Sequence, residues 1–163
     1  MKLWIAHVGD SRGVICLCDS GKHKAKELTV DHKPSLPNEK KRIESRGGEV
    51  KKLEGDIPHR VFVRGKAFPG LAMSRALGDL IASSVGVSCE PEVTELDIAS
   101  TWDYIVLCSD GVWEFISPKT VTATIYQNKN DLKKGCNELA QQSWKRWIEN
   151  EGDVVDDITV VVY

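Results

Sequence analysis

The stretch Tyr104-Ile105-Val106-Leu107-Cys108-Ser109-Asp110-Gly111 decides how this chain is read. Its first five residues are apolar and rich in aromatic and β-branched side chains. That is the composition of a buried strand, and it runs into an Asp-Gly turn. A second run of the same kind, Ile158-Thr159-Val160-Val161-Val162-Tyr163, follows Asp156. If the two strands pair antiparallel, the end of the first lies beside the start of the second. Asp110 and Asp156 then meet at one sheet edge. Two such carboxylates repel unless a cation sits between them, and a divalent cation with oxygen ligands answers that need. Asp110-Gly111 alone reads as a turn. The joint placement of the two aspartates at strand ends is what points to a metal.

Working outward, residues 3–8 form a third apolar run, which ends at Gly9-Asp10-Ser11-Arg12-Gly13 before residues 14–18 turn apolar again. This reads as a β-hairpin with Asp10 in its turn. If residues 3–8 lie parallel to residues 104–109, Asp10 joins the carboxylate edge. A short strand is expected near residues 26–29. Asn38 is placed to cap a helix that ends at Gly47. Residues 49–53 and 60–63 read as strands around a loop containing Gly55 and Pro58. Residues 71–73 read as the end of a strand leading into a short helix over residues 74–77, and residues 83–88 as a loop. Ser117 and Pro118 open a helix reaching Tyr126, and Asp131 opens a longer one that Gly152 ends. Leu132, Cys136, Leu139, Ala140, Trp144, Trp147 and Ile148 recur at helical spacing on it, a stripe that packs against a sheet. Helices among mostly antiparallel strands give an α+β layered architecture.

The 163 residues suit one domain. A net charge of −2 gives no electrostatic reason to expect nucleic acid or an anionic membrane as partner. Nothing approaches the roughly 20 apolar residues of a membrane-spanning helix, and the apolar run after Met1-Lys2 is too short for a secretory signal. The five cysteines include no C-x-x-C pair, so a zinc site is not expected. Cys16 and Cys18 lie two apart on one strand face, Cys108 in a buried strand and Cys136 in a helix. They read as reduced core thiols, in keeping with a cytoplasmic or nuclear location. A serine hydrolase built on Gly9-Asp10-Ser11 fits poorly, because no His follows His59 to act as base.

Seven segments together carry a resemblance. They are Val8-Gly9-Asp10-Ser11-Arg12-Gly13, Leu28-Thr29-Val30-Asp31-His32-Lys33-Pro34, Arg42-Ile43 with Gly47-Gly48-Glu49-Val50, Leu71-Ala72-Met73-Ser74-Arg75-Ala76-Leu77-Gly78-Asp79, Glu90-Pro91-Glu92-Val93, Cys108-Ser109-Asp110-Gly111-Val112-Trp113 and Asp156-Asp157-Ile158-Thr159-Val160. In kind and order they resemble the motifs of the metal-dependent Ser/Thr protein phosphatases (the PPM family, type 2C), over almost the whole of residues 1–163. The resemblance implies two antiparallel sheets packed as a sandwich with helices outside. It also implies hydrolysis of phosphoserine and phosphothreonine in a phosphoprotein substrate by metal-activated water, with Mg²⁺ or Mn²⁺.

The resemblance carries Asp110 and Asp156 onto ligands of the central metal site. It carries Asp10 onto an additional, weaker site, where Glu114 stands in place of the family's usual Asp. No residue of this chain is carried onto a catalytic role beyond the metals. Asp157 stands where the family often has Asn, and reads as a supporting residue. Arg75 and Asp79 read as an internal ion pair or helix cap, and Arg12 and His32 as structural. The family's domain begins well upstream of the Val-Gly-Asp-Ser-Arg motif, with a Glu-Asp pair, a phosphate-binding Arg and Asp-Gly-His-Gly-Gly, and no Asp-Gly-His occurs here. The implied molecule is the C-terminal portion of a phosphatase domain, inactive alone and prone to self-association or pairing with the N-terminal part. The alternative is a non-catalytic, partner-binding module of the same fold.

Overall fold

The computed structural model of the chain describes residues 1–19, 22–55 and 58–163. Contacts divide it into two units. The first comprises Met1–Ile5, Ser11–Val30 and Thr94–Tyr163; the second comprises Ala6–Asp10 and Asp31–Val93. The α+β class and the antiparallel sheets expected from the sequence are present.

The first unit is built on a four-stranded sheet in the order β3-β2-β8-β9. The strands are β2 (Arg12–Asp19), β3 (Lys22–Glu27), β8 (Trp102–Cys108) and β9 (Val160–Val162). β8 pairs antiparallel with β9 in the register Cys108↔Val160, Leu107↔Val161 and Val106↔Val162. The end of β8 therefore adjoins the start of β9, as the two apolar runs require. Alternation sends Val14, Val106 and Cys108 into a core completed by helices α3 (Asp110–Trp113), α4 (Pro118–Gln127) and α5 (Leu132–Glu151). Ser117 and Asp131 cap α4 and α5 by accepting the N–H groups of Thr120 and Lys134, and Gly152 ends α5 with a φ of +69°. The expected stripe on α5 holds through Leu139 and again at the half-buried Trp147, but is broken between and beyond them. Leu139 is fully buried, but Trp144 and Ile148 are exposed, and Gly135 and Ser143 take inner positions instead.

The second unit packs helix α1 (Pro37–Ser45) and helix α2 (Leu80–Ser84) against the antiparallel sheet β4-β5-β6 (Gly48–Lys52, His59–Val63, Pro69–Leu71). Ile43, Val50, Val61, Ala82, Val85 and Val87 form its core. The loop expected between β4 and β5 includes residues 56 and 57, which lie outside the described residues.

Several expectations are corrected. Residues 3–18 do not form a hairpin. β1 (Lys2–His7) pairs with β7 (Glu92–Asp97), a strand not foreseen, while β2 pairs with β3 and β8. The cause is local. Gly9 spends its N–H on His32 Nδ1 (3.1 Å) and its carbonyl on the His32 N–H (2.9 Å), so the turn closes on the Asp31-His32 segment instead of on itself. Consequently β1 is not a sheet neighbour of β8, and the condition for Asp10 to reach the carboxylate edge by that pairing is not met. The helix expected over residues 74–77 is absent. Arg75 bridges Ser88 there, and α2 begins only after Asp79, whose carboxylate caps it by accepting Ala82 N–H. Asn38 does not cap α1 either: Leu36 is the cap residue, and Pro37, with its φ preset for a helix, takes the first turn.

Candidate metal centre

The carboxylate edge is assembled by one serine. Ser109 follows β8, and its N–H donates to Thr159 O (3.3 Å). Its hydroxyl donates to Asp157 O (2.7 Å) and accepts the Thr159 N–H (3.0 Å). These bonds extend the β8–β9 pairing past its last ladder rung and hold residues 109–111 against residues 157–159. Gly111 shows how close that approach is, since a Cβ there would lie 2.5 Å from Asp157 O. Only glycine fits.

Asp110 is the first residue of α3, immediately after its cap residue Ser109. Glu114 N–H donates to Asp110 O (2.9 Å), so the two acidic residues stand one helical turn apart on the same face. Two tryptophans brace this turn from behind. Trp113 Nε1 donates to Cys108 O (2.8 Å) and Trp147 Nε1 to Gly111 O (2.7 Å). Asp156 is exposed, and its Oδ1 accepts the Asp157 N–H (2.7 Å). The structure thus brings the backbones of Asp110, Glu114 and Asp156 to one edge. Among the described residues these three do not place ligand atoms all within 4.8 Å of one another. The donor set, all carboxylate oxygen with water access, suits a hard cation such as Mg²⁺ or Mn²⁺.

Asp10 belongs to the second unit, where it is buried and ion-paired with Lys33. Two motif arginines are engaged in ion pairs. Arg12 pairs with Glu27 (3.4 Å) and lies over the Trp113 ring (5.4 Å). Arg75 Nη2 donates to Glu39 (2.9 Å), which also receives Arg42 and Ser74.

Two clusters went unforeseen. His7, His32 and Glu92 bring one ligand atom each within 4.8 Å of the others, and so do Cys16, His23 and Asp103. Strand pairing brings Cys16 and His23 together, the loop residue His32 joins the ends of β1 and β7, and no local spacing announces either cluster.

A family model described as protein phosphatase 2C matches residues 1–152. A probable protein phosphatase 2C 61 of Arabidopsis thaliana is 39% identical over 98% of this chain and 50% of its own length. A probable protein phosphatase 2C 12 of rice is 41% identical over 88% of this chain and 38% of its own. The crystal structure of a serine-threonine phosphatase 2C from Toxoplasma gondii superposes on 99% of this chain and 54% of that one, with a TM-score of 0.87 at 25% identity. The chain spans about half the length of the curated relatives it matches. With a family model matching nearly end to end, the chain belongs to the protein phosphatase 2C family.

Proposed function

We propose that this chain carries the C-terminal portion of a Mg²⁺- or Mn²⁺-dependent protein Ser/Thr phosphatase, and that Asp110 and Asp156 are its contribution to the central metal centre. The observation that carries the proposal is the Ser109 linkage, which holds Asp110 and Asp156 on adjacent chain segments beyond the β8–β9 ladder. Glu114 extends the same edge by one helical turn. Bound there, such cations activate a water and cancel charge on the phosphoryl oxygens of a phosphoprotein. The chain's own part is positional. Ser109 and Gly111 fix the approach of the two segments, and Trp113 and Trp147 hold the turn that carries Asp110.

For Asp10 the reading is an additional, weaker site whose cation must displace the Lys33 ammonium. That ion pair also favours a second reading, in which the chain is a non-catalytic module of the same fold engaging a partner. The chain's free thiols accord with a cytoplasmic or nuclear protein.

Calorimetric titration of the 163-residue chain with Mn²⁺ tests the proposal. Weak binding that disappears in an Asp110→Asn/Asp156→Asn variant is expected. Identical heats for both proteins would refute the metal assignment. The chain alone is expected to hydrolyse phosphopeptides poorly even with Mn²⁺, because its relatives are about twice as long. Robust Mn²⁺-dependent turnover lost in Asp110→Asn would overturn that part.

A further inference from the structure

We propose that Cys16, His23 and Asp103 form a second, chemically different cation site, one for a zinc-class ion held by thiolate, imidazole and carboxylate. Cys16 is fully buried in β2, between β3 and β8. The β2–β3 register sets Cys16 opposite Ala25 and Cys18 opposite His23, so Cys16, Cys18 and His23 share one face. Asp103 reaches that face through an irregularity. The β2–β8 register steps from Cys16↔Tyr104 to Leu17↔Trp102, which leaves Asp103 as an extra residue on β8. Strict alternation would point it away from Tyr104's side. A bulge re-aims a side chain, and here the carboxylate comes within 4.8 Å of ligand atoms on Cys16 and His23.

The surroundings fit a cation. Helix α4 roofs the face: Cys16 Sγ lies 4.0 Å from Thr122 O, and the Tyr126 ring centroid lies 3.4 Å from that of His23. His23 Nδ1 is buried beneath this roof without a hydrogen-bond partner. An orphaned ring nitrogen in a polar niche is a cost that a metal bond removes. Burial first, then the negative charges of Asp103 and Cys18, push the Cys16 thiol up to about 11. A divalent cation reverses that balance, because it takes the thiolate as ligand and neutralises the carboxylate. Donor atoms around a tetrahedral zinc lie about 3.3–3.8 Å apart, so small rotamer shifts suffice. Cys18 stands opposite His23 on the same face but is not one of the three residues whose ligand atoms converge, so the site offers three protein donors and leaves a fourth position to water. The mixed sulfur, nitrogen and oxygen set selects a softer ion than Mg²⁺ or Mn²⁺. It escaped the cysteine-spacing reading because its ligands come from three strands.

The other cluster is a poorer metal site. His32 Nδ1 accepts Gly9 N–H, so the neutral ring carries its proton on Nε2, the nitrogen 3.5 Å from Glu92. That atom has no lone pair to offer.

The test is titration of the reduced, metal-free chain with Co²⁺ in excess Mg²⁺, which saturates carboxylate sites without binding thiolate. We expect a thiolate-to-cobalt charge-transfer band that saturates at an equimolar ratio, collapses on adding Zn²⁺, and is lost in Cys16→Ser. Because Cys16 is fully buried, the decision rests on Asp103→Asn, a change at an exposed side chain, and on His23→Gln. Each should weaken cobalt binding by at least about tenfold. Zn²⁺ should also raise the melting temperature of the native chain and leave that of the Asp103→Asn/His23→Gln variant unmoved. No band in the native chain, or a band undiminished in the double variant, overturns the site.

Discussion

Glu39 is a buried carboxylate whose charge is answered from three sides. Arg42 grips it with two bonds of 2.8 Å, Arg75 Nη2 donates at 2.9 Å and Ser74 Oγ at 2.6 Å. Burial pushes its pKa up, but the bonds from Arg42, Arg75 and Ser74 outweigh it and bring the group to about 2. Glu39→Gln would leave two guanidinium groups facing a neutral amide, at a cost of about 3–5 kcal/mol. A lowered urea midpoint with an unchanged slope is the expected record. His32 is depressed for a different reason: burial first, then the nearby positive Arg75, then His7, all disfavour its charged form, against smaller pulls from Glu39 and Glu92. A histidine folded in its neutral form binds a proton more readily once unfolded. Its contribution is therefore intact above the ordinary value of about 6.5 and is lost as pH falls below it. Glu39 acts lower, with its contribution intact above about 4.5 and lost as pH falls towards about 2. Stability measured against pH should fall in these two stages, and His32→Gln should remove the first while sparing the second. A single-stage profile in the native chain would contradict this assignment. The sequence reading reached Arg75 as a structural ion-pair partner, but Glu39 lies 36 residues away and no local pattern links them.

Among the elements, what was legible is what period and composition control. The runs at residues 104–108 and 158–162 read correctly as strands, because β-branched and aromatic residues favour that backbone, but the second strand is shorter than its run, Val160–Val162, and only half-buried. The cap Ser117 and the helix start at Asp131 read correctly because a side-chain oxygen beside free N–H groups is a local event. The false hairpin at residues 3–18 failed because Gly9 is bonded to His32, a partner far along the chain. β7 failed because its sequence, Glu-Val-Thr-Glu-Leu-Asp, is mostly exposed and acidic and shows no core alternation. The site edge was half legible: Asp110 and Asp156 follow from strand ends, whereas the Ser109 clasp and the bulge at Asp103 are register effects. The clasp gives two predictions. Gly111→Ala forces a Cβ to 2.5 Å from Asp157 O and should cost about 1–3 kcal/mol through overpacking. Trp147→Phe keeps a ring but loses the bond to Gly111 O, at about 1 kcal/mol. Both should weaken Mn²⁺ binding in calorimetry. Trp144→Phe, at a residue 52% exposed, should alter neither stability nor binding, and an equal effect at Trp144 would show that the clasp has no special role.

At the scale of the whole molecule, each unit carries its own apolar cluster, and no helix among the described residues is long and apolar enough to cross a membrane. The chemistry that matters for assembly is on the first unit's sheet. Leu107 and Val161 stand directly opposite each other on β8 and β9 and are 45% and 50% exposed. β9 is three residues long and, among the described residues, ends the sheet order. A terminal strand offers unpaired backbone groups, and its apolar flank adds a hydrophobic incentive to pair with another chain. We therefore expect the 163-residue chain to self-associate, or to pair with a separate fragment carrying the family's N-terminal half. Light scattering coupled to size exclusion should show mass rising with concentration. Val161→Lys sets a charge on that edge, a device that natural edge strands use, and should shift the population towards monomer. A native chain that stays monodisperse and monomeric at high concentration, with a cooperative melt, would mean that this face needs no covering and that the edge argument is wrong.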